Sequence, residues 1–258
     1  MHTLQDTEDE SESYSPWKEH LNLLVQYLED SYKAIVNRLH SLLQCQKITW
    51  DLLWACFKPG MPVYSTCRGT GQPRCIKFDF GEEKKSSQGV VYYEIKGRYY
   101  DFDGKVFGEA SETLAIPKFR GAQRIESLSC FPLKYHSDGQ IRQQIIENGQ
   151  KFVSLMGSHY RYYQGNAFYL DSDDLVRFPV DGRIMVDADL FRKFHPNYPR
   201  LTTKRIEIHN IFGGSVEGRS IARVKSNGID PGEIADDDFL TCSPTVLGFS
   251  LVDKIWGK

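Results

Sequence analysis

The sequence has no uninterrupted apolar run near the ~18–20 residues that a membrane-spanning helix needs, so no transmembrane helix is expected. It has almost no net charge, −2 over 258 residues, which removes any global electrostatic argument for nucleic acid or an anionic membrane. Lys and Arg are missing ahead of Lys18, while Asp6, Glu8, Asp9, Glu10 and Glu12 crowd the same stretch. That is the wrong charge for the n-region of a secretion signal. Residues 1–14 therefore read as a disordered acidic tail, and the expected location is intracellular, cytoplasmic or nuclear.

Metal and nucleophile signatures are also missing. The six cysteines, Cys45, Cys56, Cys67, Cys75, Cys130 and Cys242, include no C-x-x-C pair, and no His stands at zinc-finger spacing from them. Reduced, mostly buried thiols are expected, and no metal. The seven histidines form no H-E-x-x-H. Ser129-Cys130 and Cys242-Ser243 supply nucleophile types, but no G-x-S-x-G elbow presents one.

What is present is ordinary for a folded chain: 40% hydrophobic and 26% charged residues, enough for a substantial core. Leu21, Leu24, Val25, Leu28, Tyr32, Ile35, Val36, Leu39, Leu42 and Leu43 step by three and four, which predicts one amphipathic helix over 17–44. Its apolar stripe is expected to pack into a core, with packing on a partner subunit as the alternative. Thr49 is placed to cap a short helix through Trp50, Leu53, Trp54 and Phe57, ended by Pro59-Gly60.

From Met61 the composition turns to strand formers. Val63-Tyr64, Cys75–Phe80, Val90–Ile95, Leu114–Ile116 and Ile125–Phe131 predict strands, and Arg98–Gly108 a hairpin turning at Asp103-Gly104. A helix is expected from Ile141 past Asn148-Gly149 toward Leu155, closed by Gly157. His159–Tyr163, Ala167–Leu170 and Arg183–Asp187 read as strands, with a helical turn near Asp189–Phe194. Residues 196–238 read as a mobile insertion. The fold class is α+β: N-terminal amphipathic helices followed by a mainly antiparallel β-rich domain. It is read as a single domain over 15–258.

Two segments approach ligand motifs. Gly213–Ser220 nearly matches the P-loop G-x-x-x-x-G-K-[ST], but Arg219 replaces the Lys that reaches the terminal phosphates. No buried strand precedes it and no long helix follows, so a glycine-rich hairpin explains the same letters. Asp101-Phe-Asp-Gly104 resembles the start of a calcium loop with Glu112 in range. Val106 and Phe107 occupy positions that should supply oxygen ligands, so a β-turn is expected. The stretch 118–163 combines Lys and Arg, including Arg124 and Lys134, with Phe119, Phe131, Tyr135, Phe152, Tyr160, Tyr162 and Tyr163. Basic and aromatic residues together are what a single-strand nucleic-acid surface uses.

Several blocks fall in an order similar to that of an uncharacterised domain preceding the ATPase module in a large family of fungal AAA-type ATPases. Ile48-Thr-Trp-Asp-Leu-Leu-Trp-Ala-Cys-Phe-Lys-Pro59 resembles its I-T-x-x-L-L-W-x-x-F-x-P block. Asp101–Gly108 resembles its D-x-D-G-x-x-F-G turn. Phe119–Ile125 through Phe131–His136 is similar to its F-x-G…I-x-x-L…F-P-L-x-x-H run. Gly149–Phe152, Tyr163–Gly165 and Arg183–Asp187 continue the series. Cys242–Gly257 closes it, with Leu247 where Pro is more usual.

This resemblance implies a non-catalytic N-terminal domain that recognises a protein substrate or adaptor, or helps to order a downstream ATPase ring. ATP binding and hydrolysis are expected only in that downstream module, and this chain is expected to be a fragment or a free-standing relative. The resemblance implies no catalytic residue, cofactor or metal in this chain. Phe249, Leu251 and Trp256 are the candidate interaction and linker residues, expected to pack onto the domain. The alternative is a single-strand nucleic-acid module using the block at 118–163, with Arg124 and Lys134 as its candidates.

Overall fold

A computed structural model of the chain describes residues 16–171, 174–196 and 236–258. The expected acidic tail, the P-loop-like segment Gly213–Ser220 and the insertion other than 196 and 236–238 lie outside these residues. The chain divides into two compact units, residues 1–45 and 46–258.

The first unit is described by one helix, α1 (Pro16–Gln44). Proline is tolerated at its first position because the missing N–H would have no partner there and the fixed φ already suits a helix. Leu21, Leu24, Val25, Leu28, Tyr32, Ile35 and Val36 are exposed along it, where the expectation was burial in a core.

The second unit is mainly antiparallel β, as the α+β class requires. Its strands are β1 (Lys47–Thr49), β2 (Pro62–Thr66), β3 (Pro73–Lys85), β4 (Val91–Phe102), β5 (Phe107–Pro117), β6 (Ala122–Arg124), β7 (Phe131–Pro132), β8 (His159–Asp171), β9 (Asp174–Val186), β10 (Gly248–Ser250) and β11 (Trp256–Gly257). Between them stand α2 (Ile141–Ser154), α3 (Ala188–Phe194) and α4 (Asp236–Phe239). One sheet has five strands in the order β5-β4-β3-β2-β7, another four in the order β11-β10-β9-β8, and β1 pairs with β6.

The β4–β5 hairpin turns where the sequence predicts. The Asp103 carboxylate accepts from the Lys105 and Val106 amides at 3.0 and 2.8 Å, and Gly104 takes φ +95°, a region open to glycine without steric cost. The segment Trp50–Cys56 is a 3-10 helix, and Thr49 makes no side-chain cap bond. Its Phe57 end stacks on Phe78 and Tyr93, at ring separations of 5.4 and 6.1 Å. This covers one face of the five-stranded sheet.

Helix α2 covers the opposite face. Ile141, Ile145 and Ile146 pack with Cys75, Leu133 and Leu240, and Phe152 packs with Phe107 and Cys242. The helix runs straight through Asn148-Gly149 because the missing side chain is needed there. A Cβ on Gly149 would stand 2.1 Å from the Phe239 carbonyl oxygen. Helix α4 thus lies directly on the glycine.

The predicted strand over Ile125–Phe131 is absent apart from Phe131. Residues Ile125–Ser127 form a 3-10 turn. The reason is in the spacing: Ile125 and Leu128 are buried while Glu126 and Ser127 between them are not, a step of three that suits a tight helical turn and not a strand's step of two. Cys130 and Phe131 are then buried side by side as the chain enters β7. The two short strands read at 159–163 and 167–170 are one continuous β8, and β9 begins nine residues before the predicted Arg183.

Candidate functional site

The four-stranded sheet curls on itself. Its outer strands meet where the Lys258 amide donates to the Phe168 carbonyl at 2.8 Å and the Phe168 amide donates back at 3.1 Å. The concave face so formed opposes α2 across an open cleft of about 610 Å3, within the ~300–1,000 Å3 range of small-molecule and cofactor sites.

Each wall follows from a local periodicity. On β9, Phe178, Val180, Ile184 and Val186 line the cleft, all even-numbered, as one face of a pleated strand requires. On α2, Asn148, Lys151, Phe152 and Ser154 line it, followed by Leu155 at the helix's C-terminal cap. Steps of three and four from Asn148 to Lys151 and Phe152 and from Lys151 to Ser154 and Leu155 turn this end of the helix toward it. The apolar floor is rimmed by two cations, Lys151 and Arg161, both exposed. Tyr163 joins the rim with its hydroxyl donating to the Asn166 carbonyl at 2.9 Å. At one end the Lys258 ammonium contacts the Asp101 carboxylate at 3.2 Å.

Chemically the cleft offers apolar area and peripheral positive charge. The nucleophile types singled out in the sequence, Ser129, Cys130, Cys242 and Ser243, are otherwise engaged or buried. Burial pushes the thiols of Cys75, Cys130 and Cys242 up to about 12 and that of Cys56 to about 11, so they stay protonated at neutral pH. The Ser129 hydroxyl donates to the Ala115 carbonyl, and that of Ser243 to the Thr245 carbonyl. Among the described residues no group of three or more His, Cys, Asp or Glu is close enough to hold a metal ion. At the calcium-like turn, Asp103 is spent on backbone amides and Glu112 on Arg74 at 2.9 Å.

The candidate residues near the end of the chain sit behind the cleft. On β10, Gly248 and Ser250 face it, so Phe249 between them points the other way. Phe249 lies 5.2 Å from the Trp256 ring, and Trp256 meets Phe191 edge-on at 5.4 Å. Trp256 also packs against Ala188 and Leu247. The Leu251 amide donates to the Arg183 carbonyl at 3.0 Å. Phe249, Leu251 and Trp256 are half-buried, not fully enclosed.

The block at 118–163 does not make one surface. Arg124 lies on β6, opposite Lys47, while Lys134 lies in a separate 3-10 turn over the Tyr135 ring at 4.8 Å. Phe131 and Phe152 are core residues, closed to base stacking. Tyr160, Tyr162 and Tyr163 of β8 are exposed.

The lining of the cleft was not singled out by sequence motifs. The even-numbered apolar series Phe178–Val186 was its available signal, masked by Pro179, Asp181 and Gly182 between those residues.

Residues 38–137 match the family model of a domain of unknown function, DUF7025. The match spans the last turns of α1 and the chain from β1 to β7. It therefore covers the five-stranded sheet and reaches the cleft only at Thr70 and Gln72. No curated protein and no solved structure matches the chain. No described helix is long and apolar enough to cross a membrane.

Proposed function

We propose that this chain is a non-catalytic recognition module whose cleft takes an apolar segment of a protein substrate or adaptor. The observation that carries the reading is the open, apolar cleft of about 610 Å3 with Lys151 and Arg161 on its rim. An extended segment with two or three apolar side chains and a flanking acid fits that pattern of floor and rim. The sequence blocks that resemble the domain preceding fungal AAA-type ATPase modules supply the context. The captured protein would be handed to an ATPase ring carried by a longer relative, with nucleotide chemistry confined to that ring.

The test is selection of peptides from a random display library on the purified chain, then titration of an enriched peptide against Ala167→Trp and Ile184→Trp, at two half-buried lining positions. Each substitution places an indole in the cleft. The proposal expects at least tenfold weaker binding by either variant at unchanged melting temperature. Failure to enrich any peptide, or equal binding by both variants, would sink it.

A second reading is favoured by the exposed Tyr160 and Tyr162, which share one face of β8, an arrangement suited to stacking single-stranded bases. It expects salt-dependent binding of a fluorescent oligonucleotide that weakens on Tyr160→Ala and Tyr162→Ala. A flat titration at low salt removes it.

A further inference from the structure

Helix α1 carries a seam whose spacing specifies what covers it. Within its apolar stripe, Leu21, Val25, Leu28, Tyr32, Ile35, Leu39 and Leu42 alternate steps of four and three without a break. This is a 3.5-residue repeat, not the looser 3.6-residue period of a helix lying on a globular core. In heptad terms Val25, Tyr32 and Leu39 occupy one seam position, and Leu21, Leu28, Ile35 and Leu42 the other. Outside the seam and its flanks the helix is mostly polar, with Glu19, Gln26, Asp30, Lys33, Asn37, His40, Ser41 and Gln44.

A repeat of 3.5 keeps facing its partner only when that partner supercoils with it, so the partner is a helix. It must also be long. Helix α1 has 29 residues, whereas the longest other helix among the described residues, α2, has 14. No second described helix of this chain matches its length, whereas a second copy supplies a seam of equal length and matching spacing. Area agrees. Leu21, Leu24, Val25, Leu28, Tyr32, Ile35 and Val36 are each 42–59% exposed. Covering them on two copies removes on the order of 1,200 Å2, the lower bound of stable interfaces.

We propose that this chain self-associates through α1 as a left-handed coiled coil with a second copy of itself. The proposal is independent of the cleft. It would set two clefts on one coiled-coil stem and raise their effective concentration toward a partner with repeated segments.

The experiment is the molar mass of the full chain in solution, by light scattering after size exclusion, from 5 to 100 µM loading (~ values chosen to span micromolar affinities). The double variant Leu28→Glu/Ile35→Glu puts charge into the seam using a good helix former. Asn37→Glu puts the same charge on the outer face. The proposal expects twice the chain mass for the wild type and for Asn37→Glu, and the single-chain mass for the double variant. A wild type that stays monomeric throughout overturns it. So does a double variant that remains dimeric, because another surface then joins the copies. The near-ultraviolet dichroism of the double variant should stay native, which separates loss of pairing from loss of the β unit. If that signal collapses, Leu28→Lys alone is the deciding variant, and a retained dimer there also overturns the proposal.

Discussion

Replacing Gly149 by alanine sets two effects of opposite sign against each other. In an exposed helix interior the change stabilises by about 1 kcal/mol, because alanine orders at lower entropic cost than glycine. Here the new Cβ would stand 2.1 Å from the Phe239 carbonyl oxygen and 2.8 Å from its carbon. The first distance is more than 1 Å inside the ~3.5 Å at which non-bonded atoms attract. The obstacle is backbone and cannot rotate aside. Relief requires α4 to lift from α2, straining the Arg142–Asp237 ion pair and the Leu240 contact with Ile145 and Ile146. Overpacking of this kind costs ~1–3 kcal/mol, so the clash outweighs the propensity gain. With the backbone obstacle placing the cost toward the upper end of that range, the expected net loss is up to about 2 kcal/mol, a fall of up to about 4–8 °C in Tm for a unit of this size. Thermal unfolding of the purified chain, followed by circular dichroism at 222 nm, measures it. A Tm raised by 2 °C or more would refute the reasoning, because it would mean that α4 does not rest on Gly149.

Further expectations concern the thiols, the acid side and the aromatic cluster. Cys45 is exposed and the other five cysteines are buried, so a thiol-reactive dye should label one group rapidly in the native chain and six after denaturation. Rapid native labelling at Cys75 or Cys130 would contradict the packing. Because burial raises those two from 9.0 to about 12, the stability they contribute is present below pH 9 and is lost as pH rises toward 12. Glu94 is lowered from 4.5 by its hydrogen bond from Lys84, and Glu126 is lowered from 4.5 by those from Ser137. Their contribution is therefore present above pH 4.5 and is lost as pH falls through the lower folded values. Urea midpoints measured from pH 6 to pH 3 should fall less steeply in Glu94→Gln/Glu126→Gln; an unchanged slope would show that neither group is linked to folding. Trp256→Ala should destabilise by about 2 kcal/mol, below the ~3–5 kcal/mol of a fully buried ring, because the indole is half-buried. A wild-type melting curve would show that its contacts with Phe191 and Phe249 carry no stability.

Much of the fold was legible where one residue period dominates. The steps of three and four over 21–43 give α1, and Asp103-Gly104 between strand-rich segments gives the β4–β5 turn. Legibility failed where tertiary contacts override local preference. Gly149 is a poor helix residue in isolation, yet its absent side chain admits Phe239 only once α4 has arrived. Pro179 disguises β9, which tolerates it opposite Asn166. The cleft was less legible than the fold because its walls come from β8, β9, α2 and the last residues of the chain, with no short motif linking them. The resemblance blocks supply about half of the lining, Phe152, Ile184, Gly248 and Ser250 among it, but from separate stretches of chain that only the fold brings together.

For the recognition role proposed for the cleft, the pleat of β10 would make the rear of the molecule a hidden determinant of specificity. Gly248 and Ser250 look into the cleft while Phe249, one residue along the same backbone, leans on Trp256. Any side chain that changes how Phe249 and Trp256 nest must tilt this short strand, and its neighbours carry that tilt to the opposite surface. Mutational scans confined to lining residues would therefore underestimate what sets affinity. On the proposed function, selection for new partners would have a second place to act, one that never touches them.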